Sequence, residues 1–203
     1  MEKTPLNVLV LNASLKHGSD PSNTEEVTTM VLEKMQDHAP ITTTLIRLSD
    51  KNIPVGLSFR ESEDDEWPAI VEEIKKADII IFATPIWWGG RSSLMQRVIE
   101  RMDAFDEEVI AGGRSALLNK VAGIVITGSE DGAQAVLAGL MEVLTFMNFS
   151  LPPQCCTYWV GETGLDPKTD AERRRKNPAV AHMAENTAKN LVHLAHVLKE
   201  LPF

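Results

Sequence analysis

The sequence predicts an α/β domain built on a five-stranded parallel sheet with helices on both faces. Short apolar runs alternate along the chain with segments of helical periodicity, and this alternation is typical of βαβ units. The runs are continuously apolar, as expected of strands that helices cover on both sides. With 203 residues, 43% of them hydrophobic, the chain can bury a substantial core, and we expect residues 1–203 to form one domain.

The first part of the chain predicts two strands and two helices. Residues 7–11 form an apolar run, and residues 24–35 carry an apolar stripe at helical spacing. Residues 42–48 are rich in Thr and Ile and predict the second strand. Residues 51–66 are polar and end in a run of acids, which predicts a loop, and residues 67–77 predict a short helix with proline in its first turn.

The remaining chain repeats the alternation. Apolar runs predict strands at residues 79–83, 121–126 and 155–160. Helical periods follow them at residues 92–102, 133–147 and 179–198. Of the common doubly wound strand orders, 2-1-3-4-5 places the ends of strands 1 and 3 side by side, where ligands bind in such sheets.

The segments that follow strands 1 and 3 are the most informative. Residues 12–24 are rich in hydroxyl groups, contain Lys16 and lead into a helix, which is the combination that binds phosphate. Residues 84–90 read Thr-Pro-Ile-Trp-Trp-Gly-Gly and suit a flat aromatic ligand. A phosphate site beside an aromatic surface indicates a phosphorylated, planar cofactor, and FMN is the leading candidate.

Each segment also has a purely structural interpretation. Hydroxyls and Asn before a helix are ordinary N-caps, and Trp87 and Trp88 are equally suited to a core or an interface. The glycine-containing segment 127–132 could be a simple turn with Asp131 as an N-cap. The three segments follow strands 1, 3 and 4 of one sheet, and this coincidence favours a cofactor site.

The three segments resemble motifs of the flavodoxin-like NADPH-dependent FMN reductase family. Residues 12–24 are similar to its Gly-Ser-x-Arg to Gly-Asn-Thr phosphate loop, and residues 84–89 to its Thr-Pro-Ile-Tyr-Trp-Gly. Residues 127–133 look like its third flavin-side loop, Arg101 ends the following helix as in the family, and residues 158–162 match close relatives. The resemblance covers roughly residues 6–165.

The resemblance implies a flavodoxin-like three-layer sandwich and an FMN-dependent NAD(P)H oxidoreductase. Electrons would pass from NAD(P)H, a transient co-substrate, through FMN to a quinone, a flavin or a similar small acceptor. The implied cofactor-binding residues are Ser14, Lys16, Ser22, Asn23, Thr24, Pro85, Ile86, Trp87, Trp88, Gly89, Thr127, Gly128, Ser129, Asp131 and Gly132. We nominate no catalytic side chain, because the flavin itself accepts the hydride.

Three positions depart from the family pattern: Lys16 replaces Arg, Ala13 replaces Gly and Trp87 replaces Tyr. A lysine would bind phosphate as a point charge and not as a two-pronged fork.

An alternative function is a flavodoxin-type electron carrier, or a flavin-binding interaction protein, that does not oxidise NAD(P)H. The net charge of −9 fits a carrier that docks on basic partners, whereas the aromatic segment at 158–159 and the long closing helix favour the reductase. The acidic balance argues against nucleic acid and anionic membranes as partners. The sequence also lacks G-x-G-x-x-G after strand 1, a P-loop and a cysteine cluster, which argues against three other cofactor classes.

The remaining expectations concern location and assembly. The chain has no signal peptide or membrane span, and its adjacent Cys155 and Cys156 predict two buried thiols, so we expect a cytoplasmic protein. His182, His193 and His196 predict a solvated helix face and no metal site. We expect a homodimer, with a tetramer also possible, whose interface helps wall the flavin pocket. Its aromatic residues would be Trp87, Trp88, Tyr158 and Trp159, beside the small residues of helix 133–147.

Overall fold

The computed structural model describes residues 5–203, apart from the side chain of Glu108, and its central element is a mostly parallel sheet. Its strands are β1 (Leu6–Asn12), β2 (Ile41–Arg47), β3 (Ile79–Trp87), β4 (Gly90–Arg91), β5 (Val121–Gly128) and β6 (Cys156–Val160). The α-helices are α1 (Asn23–His38), α2 (Trp67–Lys76), α3 (Ser93–Arg101), α4 (Ala104–Ile110), α5 (Ala133–Phe146), α6 (Pro167–Lys176) and α7 (Pro178–Glu200). No helix in this part of the chain has the length and apolar character needed to cross a membrane.

The strand order confirms the predicted topology. The parallel strands run β2-β1-β3-β5-β6, which is the order 2-1-3-4-5 once the short hairpin strand β4 is set aside. The prediction of a loop from residue 84 onwards is wrong at its start, because β3 continues to Trp87 and pairs Pro85 with Thr127. The chain then turns back, and β4 pairs Ile86 with Arg91. A two-residue strand is too short to leave a pattern in the sequence.

Two hydrophobic layers cover the sheet, as the three-layer prediction requires. Alternate side chains of a strand point to opposite faces, so Leu9 and Leu11 lie in one layer and Val8 and Val10 in the other. The first layer packs against α2, α3 and α5, and the second packs against α1 and α7.

Two helices, α4 and α6, were not predicted, because their sequences carry no apolar stripe at helical spacing. Helix α4 is a short acidic segment, and α6 has no apolar stripe at all. The buried residues of α6 are Asp170 and Arg174, so this helix is fixed by charge and not by hydrophobic packing. The sequence does contain a typical helix start, since Asp166 caps α6 and Pro167 occupies its first turn.

The predicted loop 51–66 forms neither helix nor strand, and buried Arg101 at the end of α3 holds it in place. The guanidinium donates to the carbonyls of Pro54 and Ser58 at 3.0 and 2.8 Å, and to Asp65 at 2.7 Å. Burial raises the pKa of Asp65, but hydrogen bonds from Arg101 and from two backbone amides outweigh this, so that its pKa is lowered overall. The Arg101–Asp65 pair, fully excluded from solvent, therefore stabilises the loop in its charged form.

We expect Asp65→Asn to lower the free energy of unfolding at pH 7 by about 3–5 kcal/mol, because it leaves the Arg101 charge buried without its partner. The wild-type contribution is full above the ordinary carboxyl pKa of 3.8 and is lost as the pH falls through the lower folded value. Urea unfolding at pH 7 and at about pH 3 measures both effects. Glu63→Gln, an exposed change in the same loop, is the control. Equal stability of the two variants at pH 7 would contradict the assignment.

Candidate functional site

A cleft of about 350 Å³ opens at the carboxyl ends of β1, β3 and β5. Four segments line it: the loop after β1 with the start of α1, the end of β3, the end of β5, and residues 162–170. The sequence-predicted residues that it brings together are Ser14, Lys16, Asn23, Thr24, Pro85, Ile86, Trp87, Thr127, Gly128 and Ser129. Its volume lies within the range of small-molecule sites.

The loop after β1 provides donors at one end of the cleft. Ser14 is buried, and its hydroxyl accepts from the amide of Lys16 at 3.3 Å. The Lys16 ammonium donates to the carbonyl of Pro21 at 2.7 Å, and this hydrogen bond joins the two ends of the loop. Within residues 5–203, the first-turn amides of Asn23 and Thr24 have no protein acceptor. Free amides at a helix start, beside a hydroxyl and an ammonium, form a donor set that suits a phosphate.

The last residue of β2 and the 3-10 turn Leu48–Asp50 that follows it hold this loop, which the sequence did not predict. Ser49 Oγ donates to the carbonyl of Lys16 at 2.6 Å, and Asp50 Oδ1 accepts from the amide of Gly18 at 2.8 Å. Arg47 donates to the carbonyl of Asp20 at 3.0 Å. These side chains come from the end of the neighbouring strand and the turn after it, so no spacing in the sequence could link them to the loop.

Two buried contacts join the separate loops to one another. The hydroxyls of Thr24 and Thr127 lie 2.8 Å apart, which connects the start of α1 to the end of β5. Ser92, the N-cap of α3, donates its hydroxyl to the carbonyl of Ala13 at 2.8 Å. The loops after β1, β3 and β5 are therefore connected by hydrogen bonds and do not merely lie close together.

The turn between β3 and β4 forms one rim of the cleft. Trp87 lines the cleft and is 47% exposed, whereas Trp88 lies outside the lining and is 91% exposed, at a φ of 50°. Gly132 has a φ of 131°, and a Cβ built there would lie 2.7 Å from the Cα of Gly89. The turn therefore packs backbone to backbone against the start of α5.

The other predicted residues outside the lining have visible structural roles or lie in solvent. Ser22 is the N-cap of α1 and accepts from the amide of Glu25 at 3.2 Å. Gly89 and Gly132 make the close contact just described, and Asp131 is exposed. None of these four residues lines the cleft, and neither does Trp88.

A fourth wall, residues 162–170, is absent from the sequence prediction. Asp170 lines the cleft and accepts from Trp159 Nε1 at 2.9 Å and from Arg174 at 2.7 Å. Arg174 is fully buried and also pairs with Glu26 in the first turn of α1. The Arg174 guanidinium thus connects residues 162–170 to α1, the helix whose first two amides are free to bind a phosphate.

The two cysteines lie apart from the cleft lining and are free thiols. Burial raises the pKa of both Cys155 and Cys156, so both are protonated at neutral pH. The prediction of two buried thiols is confirmed for Cys155, whereas Cys156 is half-buried. In the described residues, no three His, Cys, Asp or Glu side chains are arranged to hold a metal ion.

The sheet order and the position of the cleft define a flavodoxin-like α/β protein, with the cleft at the point where the strand order reverses and where such folds bind ligands. The model of the NADPH-dependent FMN reductase family matches residues 6–162, and the chain belongs to this family. Members of the family bind FMN and use NAD(P)H, and the protein is an oxidoreductase.

Relatives are similar over nearly the whole chain. The 8-demethyl-8-aminoriboflavin-5′-phosphate synthase of Streptomyces davaonensis is 29% identical over 98% of this chain and 80% of its own length. A crystal structure of RosB with the bound intermediate 8-demethyl-8-formylriboflavin-5′-phosphate has a TM-score of 0.84 at 28% identity, covering 98% of this chain and 82% of that one. The divalent metal cation transporter MntH of Mycobacterium bovis is 31% identical over 96% of this chain, but the chain spans only 29% of its length.

We expect Gly132→Ala to destabilise the protein by more than the about 1–3 kcal/mol that an unfavourable φ costs alone, because the new methyl group also meets the Gly89 backbone. Gly112→Ala is the matched control, since Gly112 has a φ of 87° with nothing within 4 Å. The free energy of unfolding from urea titration compares the two. An equal loss of unfolding free energy in both variants would show that the β3–β4 turn does not pack closely against the start of α5.

Proposed function

We propose that the protein transfers electrons from NAD(P)H through bound FMN to a quinone, a flavin or a similar small acceptor. One observation carries this proposal: a single cleft has phosphate-type donors at one end and aromatic and proline side chains at the other. This arrangement matches a ligand with a phosphate at one end and a flat ring at the other.

The residues of the cleft fit FMN in this orientation. Ser14, with the free amides of Asn23 and Thr24, would hold the phosphate, and Lys16 would offset part of its charge. The ring would lie between the segments 85–87 and 127–129. Ser22, Gly89 and Gly132 would act indirectly, through the cap of α1 and the packing of the turn. When bound, FMN supplies hydride acceptance, and the chain supplies position and an open face.

A second candidate function is chemistry on the flavin itself. It is favoured by the similarity to a synthase and to a structure whose names describe 8-substituted riboflavin phosphates. The carrier alternative is supported only by the charge of −9. All three functions would use the same phosphate-binding loop, so they differ in what happens after the flavin binds.

We expect either NADH or NADPH to bleach the visible absorbance of the FMN-loaded protein under anaerobic conditions. Steady-state turnover with a quinone should then give parallel double-reciprocal lines, because dinucleotide and acceptor visit one exposed ring face in turn. Mass spectrometry of the released flavin is the control for chemistry on the flavin, and its mass should be unchanged. A flavin that stays oxidised with both dinucleotides would contradict the reductase and favour the carrier.

We further propose that the protein is a cytoplasmic homodimer, formed through α4 and the carboxyl-terminal half of α5. The free thiols support a reducing compartment. Phe146, which is 82% exposed, lines a groove of about 640 Å³ together with Met102, Phe105, Leu117 and Val143. Ile110, at the end of α4, is 79% exposed. Exposed apolar patches of this kind mark interfaces. Tyr158 and Trp159, expected at the interface from the sequence, are instead half-buried against the two cores.

Light scattering at micromolar concentration should give twice the monomer mass of 22.4 kDa, and Phe146→Asp should shift the mass towards the monomer. The added carboxylate would have to be buried without a partner. Phe203→Asp, an equally exposed change at the end of the chain, should leave the mass unchanged. A monomeric wild-type protein that retains FMN would rule out this interface.

A further inference from the structure

We infer that Trp88 and Glu130 form a binding subsite for the adenosine half of the dinucleotide, and that this subsite selects NADH over NADPH. The choice of ligand rests on the proposed reductase function. The subsite itself rests on the geometry and charge of the rim described above.

The two side chains are held at the same rim. The amide of Trp88 donates to Glu130 Oε1 at 3.4 Å, which links the β3–β4 turn to the loop before α5. Gly89 also contacts Gly132, which joins the same two segments one residue further along the turn and two residues further along the loop. Glu130 lines the cleft, so an indole and a carboxylate stand next to each other where the cleft meets solvent.

The indole of Trp88 is left without packing. Trp87 lines the cleft and is available to the flavin ring, whereas Trp88 is 91% exposed. Phe146, the exposed residue of the proposed dimer surface, lies at the far end of α5, about 20 Å from its start at 1.5 Å per residue. An exposed indole face beside a cleft is a platform on which a purine base can stack.

Charge at the rim distinguishes the two dinucleotides. Glu130 has no ion-pair partner within residues 5–203, whereas the other carboxylates of the lining, Glu162 and Asp170, each pair with an arginine at 2.7 Å. Glu130 Oε2, which the Trp88 amide does not use, is available to accept hydrogen bonds from the ribose hydroxyls of NADH, as acidic residues do in other dinucleotide sites. The same carboxylate repels the 2′-phosphate of NADPH.

The nearest cation on the turn does not offset this charge. Arg91 Nε donates to Gln96 on α3 at 2.7 Å, and its guanidinium lies against Gly139 in the middle of α5. Lys16, the one cation in the lining of the described cleft, is engaged by the carbonyl of Pro21. A 2′-phosphate at this rim would therefore face Glu130 without a free positive partner.

Calorimetric titration of the FMN-loaded protein with ADP-ribose and with 2′-phospho-ADP-ribose tests the subsite without any electron transfer. We expect ADP-ribose to bind about tenfold more tightly at low salt, with the difference shrinking as salt screens the charges. Glu130→Gln should remove most of this preference. Trp88→Ala should weaken both probes by about tenfold, and Trp88→Phe should restore most of the affinity. Glu72→Gln removes one charge from exposed α2 and should change nothing.

The inference is overturned if the two probes bind equally, if neither binds, or if Arg91→Gln selectively weakens the 2′-phosphate form. It is also overturned if Trp88→Ala changes the mass in light scattering, since Trp88 would then be an interface residue. Bleaching by both dinucleotides without discrimination between the probes would remove the subsite and leave the reductase standing. Discrimination between the probes without bleaching of the flavin would support the subsite and contradict the reductase function.

Discussion

Parallel pairing between β1 and β3 is the constraint on which the whole site depends. Asn12 lies opposite Ala83 in this pairing, so the loops that leave the two strands begin as neighbours. Parallel strands need a crossover connection, and all crossovers here return the chain to the same edge of the sheet. The hydrogen bond from the Ala13 amide to the Ala83 carbonyl extends the ladder one residue past β1. Distant parts of the sequence thus meet in one cleft because of the strand register.

Around this apolar sheet, two polar segments are each held by one buried arginine. Arg101 fixes the loop 51–66 from α3, and Arg174 fixes α6 against α1 and β6. Helix α6 has no apolar stripe, whereas loop 51–66 also buries Ile53 and packs Phe59 against the core. In both segments the guanidinium satisfies several acceptors with one rigid group. Arg174 connects the cleft wall at 162–170 to α1, whose first two amides are free. Ion pairs therefore position this wall of the cleft.

The sequence was sufficient to predict the strands, the main helices and the sheet order. Each depends on a local apolar pattern, which arises because helices bury both faces of the sheet. The phosphate-type loop was predictable for a similar reason, since hydroxyls, a cation and a helix start lie together in sequence. The contacts of Arg47 and Ser49 with this loop were not predictable, because they reach it from the end of the adjacent strand β2 and the turn that follows. Helix α6 was missed since its buried face is charged, and Glu130 was missed since a single exposed acid in a turn carries no signal until its neighbours are known.

The contact between Gly89 and Gly132 fixes the spacing between the β3–β4 turn and the start of α5 by backbone geometry alone. No side chain lies at the contact itself, so this spacing does not depend on a rotamer. Trp88 and Glu130, which lie one and two residues from the contact, can therefore differ in chemistry without altering the spacing. Relatives with the same two glycines can exchange one co-substrate for another through surface substitutions, while the backbone around the flavin site stays the same.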